Sequence, residues 1–455
     1  MPRRNATKSN RWVKVLIWTL AVLFVLGAVG CIVAQALLNQ YLRSAKFRED
    51  IEQRSGINLR AKIEIAPVRF EGSQFFCDSF RAQGADEASF SELRVDAIRG
   101  ELNLPSILKV IFGSREFKVH NVEVQKLALD FYRDRIPVAL LPRGEYAHSE
   151  AIESLTIRDV TVGWPGGGIK GAVVRATNVD GGWKIEGSGG RLTQLGFPAF
   201  QLTTARLMFK RPSLFVQDAH FTHDGGEINV SGEINSRENA DLLLNLRDVN
   251  ITPMLPEDWR ARLHGRLGGE VRLKMPLKDG TPKPPSASGR LELRNGMLEA
   301  LPVLAKIAEF TKTDNFRRIP LHTLSADFRY DATGLHVSNL ILESKQLIVL
   351  RGGFTVKNET VDGTFDVGIT PGPLQFLPGS QEKVFNTAGA GYVWTKMRIS
   401  GPVGALKEDL TPRLVAAATA VAVEKVQNTA TEAVGTAVDT AKKAADLILS
   451  PLFGN

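Results

Sequence analysis

Ser106 and Lys109 stand in the order SxxK, which puts a hydroxyl and an amine one helical turn apart, as a nucleophile and its base require. His220, His223, Asp224 and Glu227 crowd one short stretch and offer nitrogen and oxygen ligands to a metal ion. GWPGGGIKG (163–171) is glycine-rich, as a phosphate cradle would be. Each group fails on its surroundings. Ser106 and Lys109 lie inside the apolar segment LPSILKVIF, and no KTG or SDN follows. His220 and His223 face opposite ways on a strand, and Asp224-Gly225-Gly226 reads as a turn. The glycine run lacks the P-loop order and reads as a turn as well. HExxH and GxSxG are missing from the sequence, and the GxGxxG spacing at 166–171 falls inside that glycine turn. The two cysteines, Cys31 and Cys77, form no CxxC; Cys31 lies in an apolar run, and Cys77 reads as a small buried hydrophobe. The sequence predicts a protein that is not an enzyme, holds no cofactor or metal, and acts through its shape.

The elements behind these residues are mostly strands. Period-two alternation runs through EINVSGEI (Ile228, Val230, Ile234), DLLLNL (Leu242, Leu244, Leu246), EVRLKM, LSADFRY (with Phe328), TFDVGI (Phe365, Val367) and YVWTKMRI. Asp180-Gly181, Asp224-Gly225, Asn295-Gly296 and Asp362-Gly363 read as turns between them. About twenty strands are expected, mainly antiparallel because neighbours lie close in sequence. One phrase recurs: VHNVEV from Val119, IRDVTV from Ile157, VQDAHF from Val216, LRDVNI from Leu246 and VSNLIL from Val337, with LRNGML from Leu293 a looser copy. In a regular strand Val119 would face away from Val122 and Val124. A bulge at the Asn or Asp adds one residue and returns all three to one side. The phrase would then bend the strand and keep its apolar residues together; a sandwich strand ending in a turn would need Asn or Asp equally. The apolar segments LPSILKVIF (104–112) and ALPVLAKIAEF (300–310) read as short helices, and the stretch 41–54 as another that ends at Gly56.

Apolar residues make up 43% and charged residues 23% of the 455, which suits a folded chain. The net charge of +8 has no dense basic patch behind it beyond the N-terminal tail, so no nucleic-acid partner is expected. VLIWTLAVLFVLGAVGCIVAQALL (15–38) carries no charge. At about 1.5 Å per residue it spans roughly 36 Å, enough for a hydrocarbon core of about 30 Å. Trp18, Leu23, Phe24 and Leu26 belong to this expected anchor. Arg3, Arg4, Lys8, Arg11 and Lys14 precede it without an acid, which favours a cytoplasmic N-terminus and puts the bulk across the membrane. GAVGC before an apolar continuation is a poor lipoprotein box, so lipidation of Cys31 is a competing reading. At the other end, the stretch 414–449 turns Ala-rich, with Val426, Ala430, Val434, Ala437, Ala441, Ala444 and Ile448 on one helical stripe. That helix would lie on a membrane, cap a sheet edge or meet an envelope protein partner; a solvated helix docked loosely on its own domain fits the stripe equally.

Taken together, the chain resembles the AsmA-like family of bacterial envelope proteins, relatives of TamB and of the bridge-like lipid transfer proteins. Near the N-terminus the likeness is carried by the span, EQRSGINLRAKIEIAPVRF and SELRVDAIRGELNLPSILKVIFGSREFKVHNVEVQKLALDF. Later it is carried by SGRLELRNGMLEALPVLAKIAEF, RRIPLHTLSADFRYDATGLHVSNLILESKQLIVLRGGFTV and VDGTFDVGI. The chain is short for that family, and the resemblance does not extend to its Ala-rich tail. The resemblance implies a single-pass inner-membrane protein whose bulk is periplasmic and forms a long curved antiparallel β-groove. Such a groove would hold or conduct phospholipid or another envelope lipid, in lipid transport and outer-membrane biogenesis; a non-enzymatic scaffold or regulator of envelope assembly acting through protein partners is the alternative. The expected organisation is a tail (1–14), the transmembrane helix (15–38), an N-terminal β-groove segment (39–275), a Pro-rich loop (276–288), a C-terminal β-segment (289–410) and an amphipathic helix with its tail (411–455). Val119, Val122, Val124, Val230, Leu242, Leu244, Leu246, Phe328, Val337, Val349, Phe365 and Val367 are the expected groove lining.

Overall fold

Alternating apolar and polar residues with β-branched enrichment make extended chain the stable local choice, and the computed structural model is mainly strand. It describes residues 40, 44–102, 119–131 and 152–430, apart from 86, 87, 89, 180, 181, 211, 236–238, 256, 279, 280, 283, 300–316, 346, 376 and 404. The expected anchor 15–38 with Trp18, Leu23, Phe24 and Leu26 lies outside the described residues. So do Ser106 with Lys109, the apolar segments 104–112 and 300–310, and the tail beyond Ala430. The chain divides into two compact units, Met1–Ile185 and Glu186–Asn455.

The first unit opens with α1 (Ala45–Leu59) and continues through β1 (Ala61–Ile65), β2 (Val68–Glu71), β3 (Gln74–Gly84), β4 (Phe90–Leu102), β5 (Val119–Phe131), β6 (Ile152–Trp164) and β7 (Gly167–Val179). The helix does not stop at Gly56; it runs to Leu59, and Arg60 at φ 51° turns the chain out of it. Glu52 accepts a hydrogen bond from the Ile65 backbone N–H at 3.0 Å, which ties α1 to β1. β3 pairs with β1 and β2 and leads antiparallel into β4 and β5. β5 and β6 pair in parallel, the exception among the described pairings of a mainly antiparallel arrangement. Residues 132–151 separate these two strands, ample for the crossover that parallel pairing needs. Residues 163–171 form the expected tight turn from Trp164 to Gly167.

β8 (Gly182–Gln194) contains the division between the units. The second unit continues through β9 (Phe200–Lys210), β10 (Ser213–His223), β11 (Gly226–Asn235), β12 (Asn239–Asn250), β13 (Leu263–Lys278), β14 (Thr281–Pro282), β15 (Ser286–Glu299) and β16 (Arg318–Leu321). After these come β17 (Thr323–Asp331), β18 (Gly334–Ser344), β19 (Ile348–Lys357), β20 (Thr360–Ile369), β21 (Thr387–Gly389), β22 (Tyr392–Pro402) and β23 (Lys407–Glu408). Every pairing described within this unit is antiparallel, running from β9 through β13 to β15, then β17 to β20 and β22. A 3₁₀ turn (Thr252–Met254) and α2 (Glu257–Arg260) link β12 to β13; α3 (Pro371–Leu374), α4 (Ser380–Lys383) and α5 (Leu410–Ala430) come after β20.

The Pro-rich stretch 276–288 is not the boundary. β13 runs on to Lys278, and Pro276 pairs with Asn239 at the very end of the β12 ladder, where a missing N–H costs little. Asn295-Gly296 and Asp362-Gly363 are not hairpin turns either, for both lie inside strands. The hairpin after β19 uses Asn358 and Glu359, both at positive φ, as a type I′ turn demands.

All six copies of the recurrent phrase lie within strands or at their ends, and all carry a register shift. Two residues of the phrase strand stand against one of the partner between Val119 and Val122, Ile157 and Val160, Val216 and Ala219, Leu246 and Val249, Arg294 and Met297, and Val337 and Leu340. Asp248, Asn295 and Asn339 take the strain at φ 51°, 50° and 50°. Glycines face several of these bulges. A Cβ on Gly226 would lie 2.6 Å from the Asp248 carbonyl oxygen, one on Gly353 2.5 Å from that of Val337, and one on Gly265 2.8 Å from Leu293 Cγ. The bulged strand needs room that only a missing side chain leaves. Other strand glycines pair at the edge of a bulge and admit close backbone approach by the strand on their other side. At Gly232 (φ 138°) and Gly269 (φ 136°) an added Cβ would sit 2.2 and 2.1 Å from the carbonyl oxygens of Asp241 and Arg290.

Apolar side chains close the first unit's core. Val119, Val122 and Val124 are all buried, with Val95, Ile157, Val160 and Ala172, and Phe70, Phe75 and Phe80 pack onto them. Cys77 is buried, its thiol donating to the carbonyl oxygens of Ser79 and Ala66, and burial pushes its pKa up.

Two measurements test this packing. In urea unfolding, Gly232→Ala and Gly269→Ala each lose about 1–3 kcal/mol; Gly372→Ala, whose Cβ would meet nothing within 4 Å, stays within about 0.5 kcal/mol of the parent. Equal losses at all three sites refute the close-approach argument. In a Cys31→Ser chain, Cys77 stays unmodified by a disulfide reagent at neutral pH until denaturant is added; rapid native labelling contradicts its burial.

Candidate functional site: an apolar face on the second unit

Register decides which side chains meet. Val230 stands opposite Leu244, Leu244 opposite Val271, Val271 opposite Gly289, Gly289 opposite Phe328, Phe328 opposite Val337, and Val337 opposite Phe354. One row of the sheet from β11 to β19 is thus apolar at every position with a side chain. A second row runs Gly232, Leu242, Leu273, Ala287, Tyr330, Leu335, Val356. A third runs Ile228, Leu246, Gly269, Leu291, Ala326. Neighbouring strands lie about 4.8 Å apart, so the first row extends on the order of 30 Å. Val230, Leu242, Leu244, Leu246, Phe328 and Val337 are half-buried, and Tyr330 is 49% exposed. Among the described residues, these six belong to none of the packed core clusters.

The opposite face of the same strands is polar and internally paired. Asp241 binds Arg272 at 2.8 Å and Lys274 at 3.7 Å, and Arg329 binds Asp331 at 2.9 Å; beyond these strands, Arg398 of β22 binds Asp362 of β20 at 3.1 Å. The Arg272 guanidinium, hydrogen-bonded to Asp241, holds that carboxyl below its ordinary range. The Asp331 carboxyl is held down to about 2, first by the Thr333 hydroxyl, then by the Thr333 backbone N–H and Arg329.

No family model, no curated protein and no solved structure matches the chain. Its reading rests on these two faces.

The other expected lining residues are not brought to this face as open surface. Val119, Val122 and Val124 sit in the filled core of the first unit. Phe365 and Val367 are on the apolar side but only 5% and 2% exposed, packed beneath α3, α4 and α5. Val349 points the other way: its neighbours Ile348 and Leu350 join the apolar cluster, while Val349 pairs with Gly368, over which the Trp394 ring lies. LIVL, at 347–350, is apolar throughout and gives no phase by which to choose its face. Leu335, Val356 and Leu291 join the rows without having been expected there, although each stands in plain alternation in GLHV, FTVK and RLEL.

The candidate ligands His220, His223, Asp224 and Glu227 do not converge. His223 packs edge-on against Phe200 at 5.5 Å, and Asp224-Gly225 forms the turn between β10 and β11. Among the described residues no group of three or more His, Cys, Asp or Glu could hold a metal. No helix among them is long and apolar enough to cross a membrane. What the face can do chemically is bury hydrocarbon, at about 0.8 kcal/mol per methylene.

The Asp331 carboxyl supplies a pH test. Its folded pKa lies below the ordinary 3.8, so its contribution is present at neutral pH and fades as pH falls from about 4 through about 2. A carboxyl-detected NMR titration should find that midpoint near 2, and Thr333→Val should move it up. A midpoint at the ordinary value in the parent chain discounts the Thr333 contacts.

Proposed function

We propose that this protein is a membrane-anchored, non-enzymatic holder of phospholipid or another envelope lipid, similar to the AsmA-like proteins. Its acyl chains lie on the apolar face of β11–β19 while the head group stays in water. One observation carries this reading: three in-register apolar rows are left half-open opposite an ion-paired polar face. The uncharged run 15–38 supports an inner-membrane anchor with the bulk in the periplasm. The strand phrases shared with the AsmA-like family support a role in lipid transport and outer-membrane biogenesis. Transferring a chain from this face to water costs about 0.8 kcal/mol per methylene, whereas sliding it from one apolar row to the next exposes almost nothing new. That difference suits a surface that must retain a lipid and still let it move.

The filled core of the first unit favours a second reading, a non-enzymatic scaffold or regulator of envelope assembly acting through protein partners.

Mass spectrometry of small molecules extracted from the gently purified full chain should find phospholipid in near-stoichiometric amounts. Val230→Asp with Leu244→Asp should remove it without lowering expression, because both positions are half-buried rather than core. Undiminished lipid in the double variant rejects the face, and a lipid-free parent bound to a fixed protein partner favours the scaffold.

A further inference from the structure

Resting on that reading, we propose that α3, α4 and α5 are a built-in stop: they seal the β20–β22 end of the apolar face, so that a lipid is held on β11–β18 and cannot pass beyond. The apolar rows do not end at β19. Gly352 stands opposite Phe365, Leu350 opposite Val367 and Ile348 opposite Ile369, and β20 carries the phase into β22. What changes is the cover. Phe365, Val367 and Ile369 are buried in one cluster with Leu374 of α3, with Val384 and Phe385 just beyond α4, and with Leu410 and Ala417 of α5. Phe385 is among the most deeply buried side chains in the protein.

The seal is specified, not merely greasy. Thr395 interrupts the apolar row opposite Val367, and it is buried. Its hydroxyl accepts a hydrogen bond from Arg413 of α5, whose other nitrogen donates to the Lys396 carbonyl oxygen at 2.5 Å. A buried polar group needs that partner, so the Thr395–Arg413 contact selects one seat for the helix. Two further contacts set its register. Glu408 accepts from the Leu410 and Thr411 backbone N–H groups at the helix start, at 2.6 and 2.9 Å. Gly379, between α3 and α4, leaves room for α5: a Cβ there would lie 2.7 Å from Val421 Cγ2 and 3.0 Å from the Ala417 carbonyl oxygen. The hydroxyl of Ser380 is likewise satisfied, by the Leu374 and Leu377 carbonyl oxygens. An acyl chain would have to displace all of this to reach Val367, yet among the described residues it meets no such cover at Leu244 or Val337.

The test uses the unmodified full chain, vesicles of phosphatidylethanolamine and phosphatidylglycerol, and a phospholipid with a diazirine in one acyl chain. After irradiation, peptide mass spectrometry should find adducts on β11–β18 and none on β20 or β22. In Arg413→Ala/Leu414→Asp, adducts should spread to β20 and β22, with amide-exchange protection of β11–β13 unchanged as the check on folding. Adducts on β20 of the unmodified chain, at the yield seen on β12, overturn the stop while leaving the lipid-holding reading intact. Adducts nowhere sink that reading and the stop with it. A variant that keeps its fold but gains no adducts on β20 overturns α5 as the seal.

Discussion

Everything in both units depends on keeping the phase of the strands. A strand alternates its side chains between two faces, so one inserted residue turns every later apolar side chain to the wrong side. Here the insertions are made where the sequence has already lost phase. Leu246 and Val249 flank Asp248, and Val337 and Leu340 flank Asn339; each bulge restores the face that the spacing would have lost. The backbone must then project beyond the plane of its partner. Gly226, Gly265 and Gly353 provide the space, since a Cβ at any of them would lie within 2.8 Å of a heavy atom of the bulged strand. Bulge and facing glycine are one device written on two strands. Bulges and strand glycines are also the means by which a sheet acquires bend and extra twist.

With the phase held, one surface of each unit's strands collects nearly all the hydrocarbon. The protein treats that surface in two ways. In the first unit, and at the β20–β22 end of the second, aromatic side chains and short helices fill it to ordinary core exposure. From Val230 to Val337 it is left half-covered. Glycines on the apolar rows matter again here: Gly232, Gly269 and Gly289 put backbone where a side chain would otherwise stand. A soluble protein rarely leaves so wide an apolar surface without using it.

The strands are legible in the sequence because alternation survives burial of one face only, and β11, β12, β13, β17, β20 and β22 fall on their expected segments. The bulges are legible as a phase break, although the same letters fit a turn, and Asn295-Gly296 and Asp362-Gly363 show that a turn pair can lie in mid-strand. Faces are harder to read. Val349 is expected on the apolar side and lies on the other, because LIVL has no polar residue to mark the alternation. Phe365 and Val367 lie on the expected side, but nothing in TFDVGI tells that α3, α4 and α5, the last of them more than forty residues on, would cover them; that depends on a contact between Thr395 and Arg413 distant from it in sequence. The parallel pairing of β5 with β6 is invisible for the same reason, since local pattern carries no strand direction.

The ion pairs on the polar face bear on which face is which more than on how stable the sheet is. Arg272–Asp241, Arg329–Asp331 and Arg398–Asp362 are exposed, and exposed pairs contribute little, of order 0–1 kcal/mol each. Their weight is felt in the inverted alternative. A register slip of one residue would turn Asp241, Arg272 and Lys274 to the apolar side, where half-covered hydrocarbon replaces water, and would put Leu242, Leu244 and Val271 in solvent. Burying charges without full compensation costs several kcal/mol per ion. The slipped sheet therefore loses on both faces together, and the charges act by making the wrong register untenable. This is also why the half-open apolar face is tolerable. It need not be filled to be oriented, because the polar face has already excluded the only other way for the strands to lie.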